Sequence, residues 1–167
     1  TWCAKPIWGN QYLQRTAADV ASEMIHLKRT FEPDHIWFAD DIFGFRGDWV
    51  TAFADAARRG GGPIPFTIQT RADLMTAENV AALRRAGCAE TWMGVESGAQ
   101  SVLDAMDKGL TIDHVRGAVA RLRAAGIRIG FFLQFGYPGE GWREIEMTRN
   151  LVRELTPDDI GISVSYP

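Results

Sequence analysis

Apolar segments recur along this chain at nearly even spacing, and that spacing limits the folds open to it. Short β-prone runs begin at residues 35, 65, 90, 127 and 159. The step is about 30 residues, the length of a strand, a helix and two loops. Between the runs, apolar residues fall three and four apart: Val20, Met24, Leu27 and Phe31, then Val80, Leu83 and Ala86, then Val115, Val119 and Leu122. That is the period of one face of a helix. The alternation predicts a parallel sheet with helical crossovers, an α/β fold. The units do not resemble one another in sequence, so the repeat is architectural. The pattern suits an open doubly wound sheet or a barrel. Polar residues at each strand tip favour a barrel or partial barrel.

Strands are expected over residues 35–39, 65–70, 90–95, 127–135 and 159–164, and helices over 17–30, 49–59, 77–86, 99–106, 112–125 and 142–155. Thr16, Asp48, Thr76 and Thr111 stand where N-caps belong. Gly60-Gly61-Gly62-Pro63, Gly87 and Gly126 stand where helices stop. Residues 1–14 carry no period and read as an ordered loop.

With 167 residues, 46% of them hydrophobic and 23% charged, the chain suits one globular domain. A net charge of −3 gives no clear nucleic-acid footprint. No run spans a bilayer, no signal peptide is visible, and two cysteines make no disulfide framework. A reducing, cytoplasmic setting is the expectation. The chain opens on Thr1 and closes on Tyr166-Pro167 at what reads as a strand tip. Residues 1–167 are therefore expected to be a piece of one core domain, truncated at both ends.

The candidate chemistry sits at the tips. Asp40 and Asp41 suit a metal or a ligand amine as readily as they suit capping of the next loop. Gln69 and Arg71 end the second strand. Arg71 could grip a carboxylate with its fork of donors or pair with Asp73. Glu96 and Ser97 end the third strand just before a helix, where a carboxylate also serves as a cap. Residues 134–141, with Gln134, Gly136, Tyr137 and Pro138, form a glycine-rich turn that a flat ligand could approach. Its spacing matches neither a phosphate loop nor a dinucleotide fingerprint. Cys88 reads as a small buried hydrophobe. His26, His35 and His114 lack ligand spacing.

Taken together, Cys3-Ala4-Lys5-Pro6, Trp37-Phe38-Ala39-Asp40-Asp41, Gln69-Thr70-Arg71-Ala72-Asp73, Gly94-Val95-Glu96-Ser97-Gly98 and Phe135-Gly136-Tyr137-Pro138-Gly139-Glu140 resemble the radical S-adenosylmethionine enzymes. The resemblance is to the branch whose members often carry a cobalamin-binding domain. It runs through nearly the whole chain and implies a partial (βα)6 TIM-like barrel, here without its first strand. It implies a 4Fe-4S cluster held by C-x3-C-x2-C, with Cys3 as the third ligand and the other two cysteines ahead of Thr1. The 167 residues alone would then hold no stable cluster. The cluster would cleave S-adenosylmethionine by one electron to a 5′-deoxyadenosyl radical.

By the same resemblance, Asp40 and Asp41 replace a Gly-Gly-Glu stretch near the methionine amine, and Arg71 faces the methionine carboxylate. Glu96 and Ser97 face the ribose or the amino-acid end, and the backbone of residues 134–138 lines the adenine. Cobalamin would bind to a domain outside this stretch. The implied partners are a small-molecule substrate and an electron donor such as flavodoxin or ferredoxin. Methyl transfer and oxidative ring formation are the outcomes expected, with tRNA modification as the runner-up. A barrel that binds a small ligand without redox chemistry is the competing class.

Overall fold

A computed structural model describes residues 13–62 and 64–165. In chain order its elements are α1 (Ala17–Phe31), β1 (Ile36–Trp37), α2 (Gly47–Arg59), β2 (Phe66–Thr70), a 3-10 turn (Ala72–Leu74), α3 (Ala77–Ala86), β3 (Cys88–Glu96), α4 (Gln100–Ala105), α5 (Ile112–Ala124), β4 (Arg128–Phe135), α6 (Trp142–Leu155) and β5 (Asp159–Val164). The expected alternation is there, and α6 and β5 keep their expected bounds. The loop expected over residues 1–14, Cys3 included, falls outside the described residues as far as residue 12, and so does Pro63.

All neighbouring strands are parallel, in the order β1-β2-β3-β4-β5. A strand order that never reverses has no switch point. Right-handed crossovers then put every helix on one face. The sheet curls with its helices outside, giving a half-barrel whose concave face is open. This is the partial barrel expected, not the open doubly wound sheet. Ile68, Met93, Val95, Ile129, Phe131 and Leu133 face the helix layer and are buried. No helix among the described residues is long and apolar enough to cross a membrane.

Local chemistry sets the helix ends. The hydroxyls of Thr16, Thr76 and Thr111 accept from the backbone N–H three residues on. His114 closes a capping box, its Nδ1 accepting from the Thr111 N–H. The cap expected at Asp48 is not made: α2 starts at Gly47 with Arg46 as N-cap, and Asp48 lies in the first turn paired with Arg46. That carboxylate is held below its usual range by the Arg46 hydrogen bond.

β1 is shorter than expected. Ile36 N–H donates to Pro65 O and Phe38 N–H to Thr67 O. The chain then leaves the sheet edge to pack Phe43 among Phe38, Trp49, Phe53 and Phe66, with Trp49 stacked on Phe53 at 5.5 Å. Phe43 also donates its N–H to Gln69 O at 2.7 Å and accepts from the Thr70 hydroxyl at 3.1 Å. Burying such a ring is worth about 2 kcal/mol. The Asp40-Asp41 loop is thereby anchored beside the β2 tip.

Candidate functional site at the strand tips

β3 supplies the most constrained tip. Opposite β4, Gly94 pairs with Phe132 and Glu96 with Leu133, so Val95 is an extra residue, a bulge in a parallel pair. Bulges re-aim side chains next to functional sites. Here Ser97 N–H donates back to Val95 O at 2.8 Å, closing a γ-turn around Glu96, whose φ is +62°. The bulge and turn fold the Glu96 side chain back over Gly94. A Cβ at Gly94 would lie 2.8 Å from Glu96 Oε1 and 3.2 Å from Lys108 Nζ.

Lys108 arrives from the α4–α5 loop and donates to Glu96 Oε1 at 2.6 Å. The side chains are 16% and 7% exposed, so solvent screens the pair little. Arg71 sits behind it. Its fork takes both oxygens of Asp73 at 3.0 Å, and the same Nη2 donates to the carbonyl of Lys108 at 3.0 Å. The salt bridge weighed for Arg71 is therefore formed, and Arg71 also fixes the loop that carries Lys108.

Ser97 is fully buried. Its hydroxyl accepts from Ala99 N–H at 3.1 Å and lies 3.2 Å from the Thr148 hydroxyl. It serves the turn rather than the open face.

At the β4 tip, Gln134 is buried and donates from Nε2 to Ser165 Oγ at 2.7 Å. Gly136 adopts φ +80°, and its N–H donates to Glu140 Oε2 at 2.6 Å, closing the glycine-rich loop. Glu140 Oε1 is buried without a partner among the described residues. Tyr137 packs against Ala99, Val102 and Met106 and donates its hydroxyl to Ala105 O at 3.0 Å. It ties this loop to the end of α4. Pro138 is exposed.

Asp40 and Asp41 remain exposed at the β1 tip, and Gln69 is half-buried at the β2 tip. Although its surface is exposed, Asp40 borders a cavity of about 390 Å³ lined also by Met24, Leu27, Trp37 and Phe38. That crowding, with a smaller push from the Asp41 charge, raises its carboxyl above the usual value against its own backbone hydrogen bond. Cys88 is buried under the sheet and its thiol is pushed up to about 12, chiefly by burial. It is an inert core residue, as its sequence position implied.

The structure thus joins Arg71, Lys108 and Glu96 in one network, and Tyr137 reaches the end of α4 that leads to Lys108. Sequence reasoning missed Lys108, since Lys108-Gly109 reads only as a break between helices. It also missed Thr148, which looks like one more helix residue.

The opposite, N-terminal ends of the strands carry a polar row. His35 Nε2 lies 2.8 Å from Thr67 Oγ1, which donates to Glu90 Oε2 at 3.1 Å. Arg128 reaches Glu90 at 3.5 Å and Asp159 at 2.6 Å. Between row and tips, the Trp92 indole lies flat over Gly130, where a Cβ would come within 2.3 Å of the ring. Phe132 packs beside it, tilted by 32°, at 4.8 Å between ring centroids. Bare glycines thus let aromatic rings line the concave face instead of filling it.

Comparison with known proteins agrees with this architecture. By sequence, the chain is 23% identical over 161 residues to an uncharacterized methyltransferase of Pyrococcus horikoshii, covering 96% of this chain and 35% of the relative. It is 27% identical over 184 residues to the tRNA-2-methylthio-N(6)-dimethylallyladenosine synthase of Stutzerimonas stutzeri, covering 99% and 38%. The chain therefore spans little more than a third of the curated relatives it matches. By structure, it is similar to the radical S-adenosylmethionine methyltransferase TsrM of Kitasatospora setae, solved with cobalamin and a [4Fe-4S] cluster bound. That match has a TM-score of 0.80 at 20% identity, over 93% of this chain and 32% of that one. It is also similar to the radical SAM enzyme coproporphyrinogen III oxidase of Escherichia coli, with a TM-score of 0.70 at 14% identity, over 94% and 40%. At such identities these structures speak for the fold. The sequence profile of the Radical SAM superfamily, however, matches residues 1–152 directly, and the chain belongs to that superfamily.

Proposed function

We propose that this chain forms the S-adenosylmethionine-binding core of a radical enzyme of the cobalamin-dependent methyl-transfer or ring-forming kind. The observation that carries the reading is the buried Glu96–Lys108 pair at a strand tip re-aimed by a bulge. S-adenosylmethionine ends in an ammonium and a carboxylate. Glu96 offers an anion to the first and Lys108 a cation to the second. Inserting a zwitterion between them leaves no net buried charge, so the donor set fits the ligand.

In this reading Arg71 stands one step behind Lys108, holding its loop, because the Arg71 fork is engaged by Asp73. Gln69 and Gln134 border the ligand on neighbouring tips, and the backbone around Gly136, Tyr137 and Pro138 takes the adenine. Ser97 keeps the turn that aims Glu96. Asp40 and Asp41, exposed at the β1 tip, are assigned in this reading to the amine side of the ligand.

Cys3, outside the described residues, is the one cluster ligand this chain would give. When bound, the 4Fe-4S cluster supplies the electron that splits the sulfonium to methionine and a 5′-deoxyadenosyl radical. The protein's own part is to orient the ligand and keep water and stray hydrogen donors away. Flavodoxin or ferredoxin is the proposed electron donor, and cobalamin would sit on another domain. Similarity to the tRNA methylthiolating synthase over 99% of this chain favours tRNA modification as the second reading.

The test is anaerobic cluster reconstitution of the full-length protein and an assay for 5′-deoxyadenosine after reduction. The wild type forms it and Cys3→Ala does not. Equal formation by Cys3→Ala would refute the assignment.

A further inference from the structure

We infer that Thr148, on α6, is a positioning residue for S-adenosylmethionine that acts through the Glu96 turn. The inference rests on the reading of Glu96 given above. Thr148 is 1% exposed. Its hydroxyl lies 3.1 Å from Glu144 O, a carbonyl that can only accept, so Thr148 donates there. Its lone pairs then accept twice: from Gly98 N–H at 2.8 Å and from the Ser97 hydroxyl at 3.2 Å. Ser97 Oγ in turn accepts from Ala99 N–H at 3.1 Å. Each hydrogen in the chain Ala99–Ser97–Thr148–Glu144 is donated in the same direction, towards Glu144 O.

Close packing reinforces these bonds. A Cβ at Gly98 would lie 2.6 Å from both Met147 O and Thr148 Cα, so the turn rests directly on the helix backbone. Glu96, two residues before Gly98, holds a left-handed conformation that a glutamate adopts only when its surroundings impose it. The Thr148 hydroxyl, beside the Lys108 ammonium on Glu96 itself, is a polar part of that imposition.

The same helix begins at the glycine-rich loop. Glu144 accepts from Gly141 N–H at 3.0 Å and passes its carbonyl to Thr148 one turn later. About two turns of α6, from its N-cap Gly141 to Thr148, therefore separate the loop proposed for adenine from the turn proposed for the amino-acid end. Thr148 is the bolt that fixes their spacing. Without its hydroxyl the Gly98 N–H loses its acceptor, the turn relaxes, and ligand binding must reimpose the strained form.

The experiment measures S-adenosylmethionine binding and 5′-deoxyadenosine formation in the cluster-loaded full-length protein. Thr148→Val keeps the shape and removes the hydroxyl, and Thr148→Ser keeps the hydroxyl. Leu151→Val, one turn on and buried but remote from the turn, controls for a weakened helix. The expected result is a Kd about tenfold higher for Thr148→Val. Its rate at saturating ligand stays within about twofold of wild type, and Thr148→Ser and Leu151→Val bind normally.

If Thr148→Val fails to fold, Ser97→Ala takes its place, with a smaller rise in Kd expected. Unchanged affinity in the hydroxyl-lacking variant overturns the inference while leaving the functional reading intact. So does a loss of affinity in Leu151→Val as large as in Thr148→Val, which would mean general destabilisation. A wild-type protein that binds no S-adenosylmethionine overturns both.

Discussion

The Glu96–Lys108 pair can be tested as a pair, by Glu96→Gln and Lys108→Met, singly and together. At 2.6 Å, with side chains 7% and 16% exposed, it is a buried ion pair rather than a surface one. Removing one partner from such a pair strands a charge in poor solvent and costs about 3 kcal/mol. Removing both replaces the pair by neutral groups of similar size and costs no more than about 1 kcal/mol. For a chain of this length about 1 kcal/mol moves the melting temperature by roughly 2–4 °C. Each single variant should therefore melt about 6–12 °C lower, and the double variant within about 4 °C of wild type. Calorimetry checks the shifts, with agreement of calorimetric and van't Hoff enthalpies as the condition for reading them as free energies. Raising salt to ~0.5 M should leave the shifts nearly unchanged, since buried pairs are little screened. Function follows a different order: all three variants should bind S-adenosylmethionine poorly, because each lacks a charge the zwitterion needs. A double variant as unstable as the two singles combined would refute the pairing. Normal binding by the double variant would refute the proposed role.

Gly94→Ala places a methyl 2.8 Å from Glu96 Oε1, so the carboxylate must move by roughly 0.7 Å to regain van der Waals distance. It should weaken S-adenosylmethionine binding about tenfold or more while lowering the melting temperature by only a few degrees, and equal binding would show that the carboxylate is not aimed at the ligand. Asp40 has its carboxyl raised above 3.8 in the folded state, chiefly by burial. A raised carboxyl favours the native state below the unfolded value, and that advantage is lost as pH rises through the folded value. Asp40→Asn should accordingly raise the melting temperature near pH 7 and have no such effect near pH 3, and a gain of equal size at both would contradict the assignment.

Much of the fold was legible because its determinants are local. A threonine three residues ahead of a backbone N–H caps a helix whatever surrounds it, and Thr16, Thr76 and Thr111 all do so. The helical and strand periods are also properties of single segments. β1 was overread because its length depends on its neighbour: an edge strand has one ladder, and the aromatic cluster around Phe43 drew the chain away. Glu96 was legible as a strand tip. Its direction was not, because the bulge at Val95 exists only relative to β4. Lys108 reaches Glu96 across 12 positions and Thr148 reaches Ser97 across 51. No periodic signal connects residues so far apart.

The backbone itself singles out Glu96. Among the described residues, four that are not glycine have positive φ: Glu32, Glu96, Asp107 and Thr156. Glu32 and Thr156 are the C-caps of α1 and α6, and Asp107 directly follows the Met106 cap of α4. There a left-handed residue satisfies the last helical carbonyls, so the conformation is repaid locally. Glu96 ends a strand, where no helical carbonyl is waiting. A residue of that shape costs about 1–3 kcal/mol and persists only where its surroundings over-determine it. Each determinant here is visible: the bulge against β4, the Lys108 ammonium, the bare Cα of Gly94 and the Thr148 hydroxyl under Gly98. None is needed to connect β3 to α4, which an ordinary turn would do. What the arrangement achieves is a Glu96 carboxylate held against Lys108 at the C-terminal tip of β3, its direction fixed by the fold. Strain kept where the fold has no use for it is the mark that the proposed ligand-binding role of Glu96 would leave.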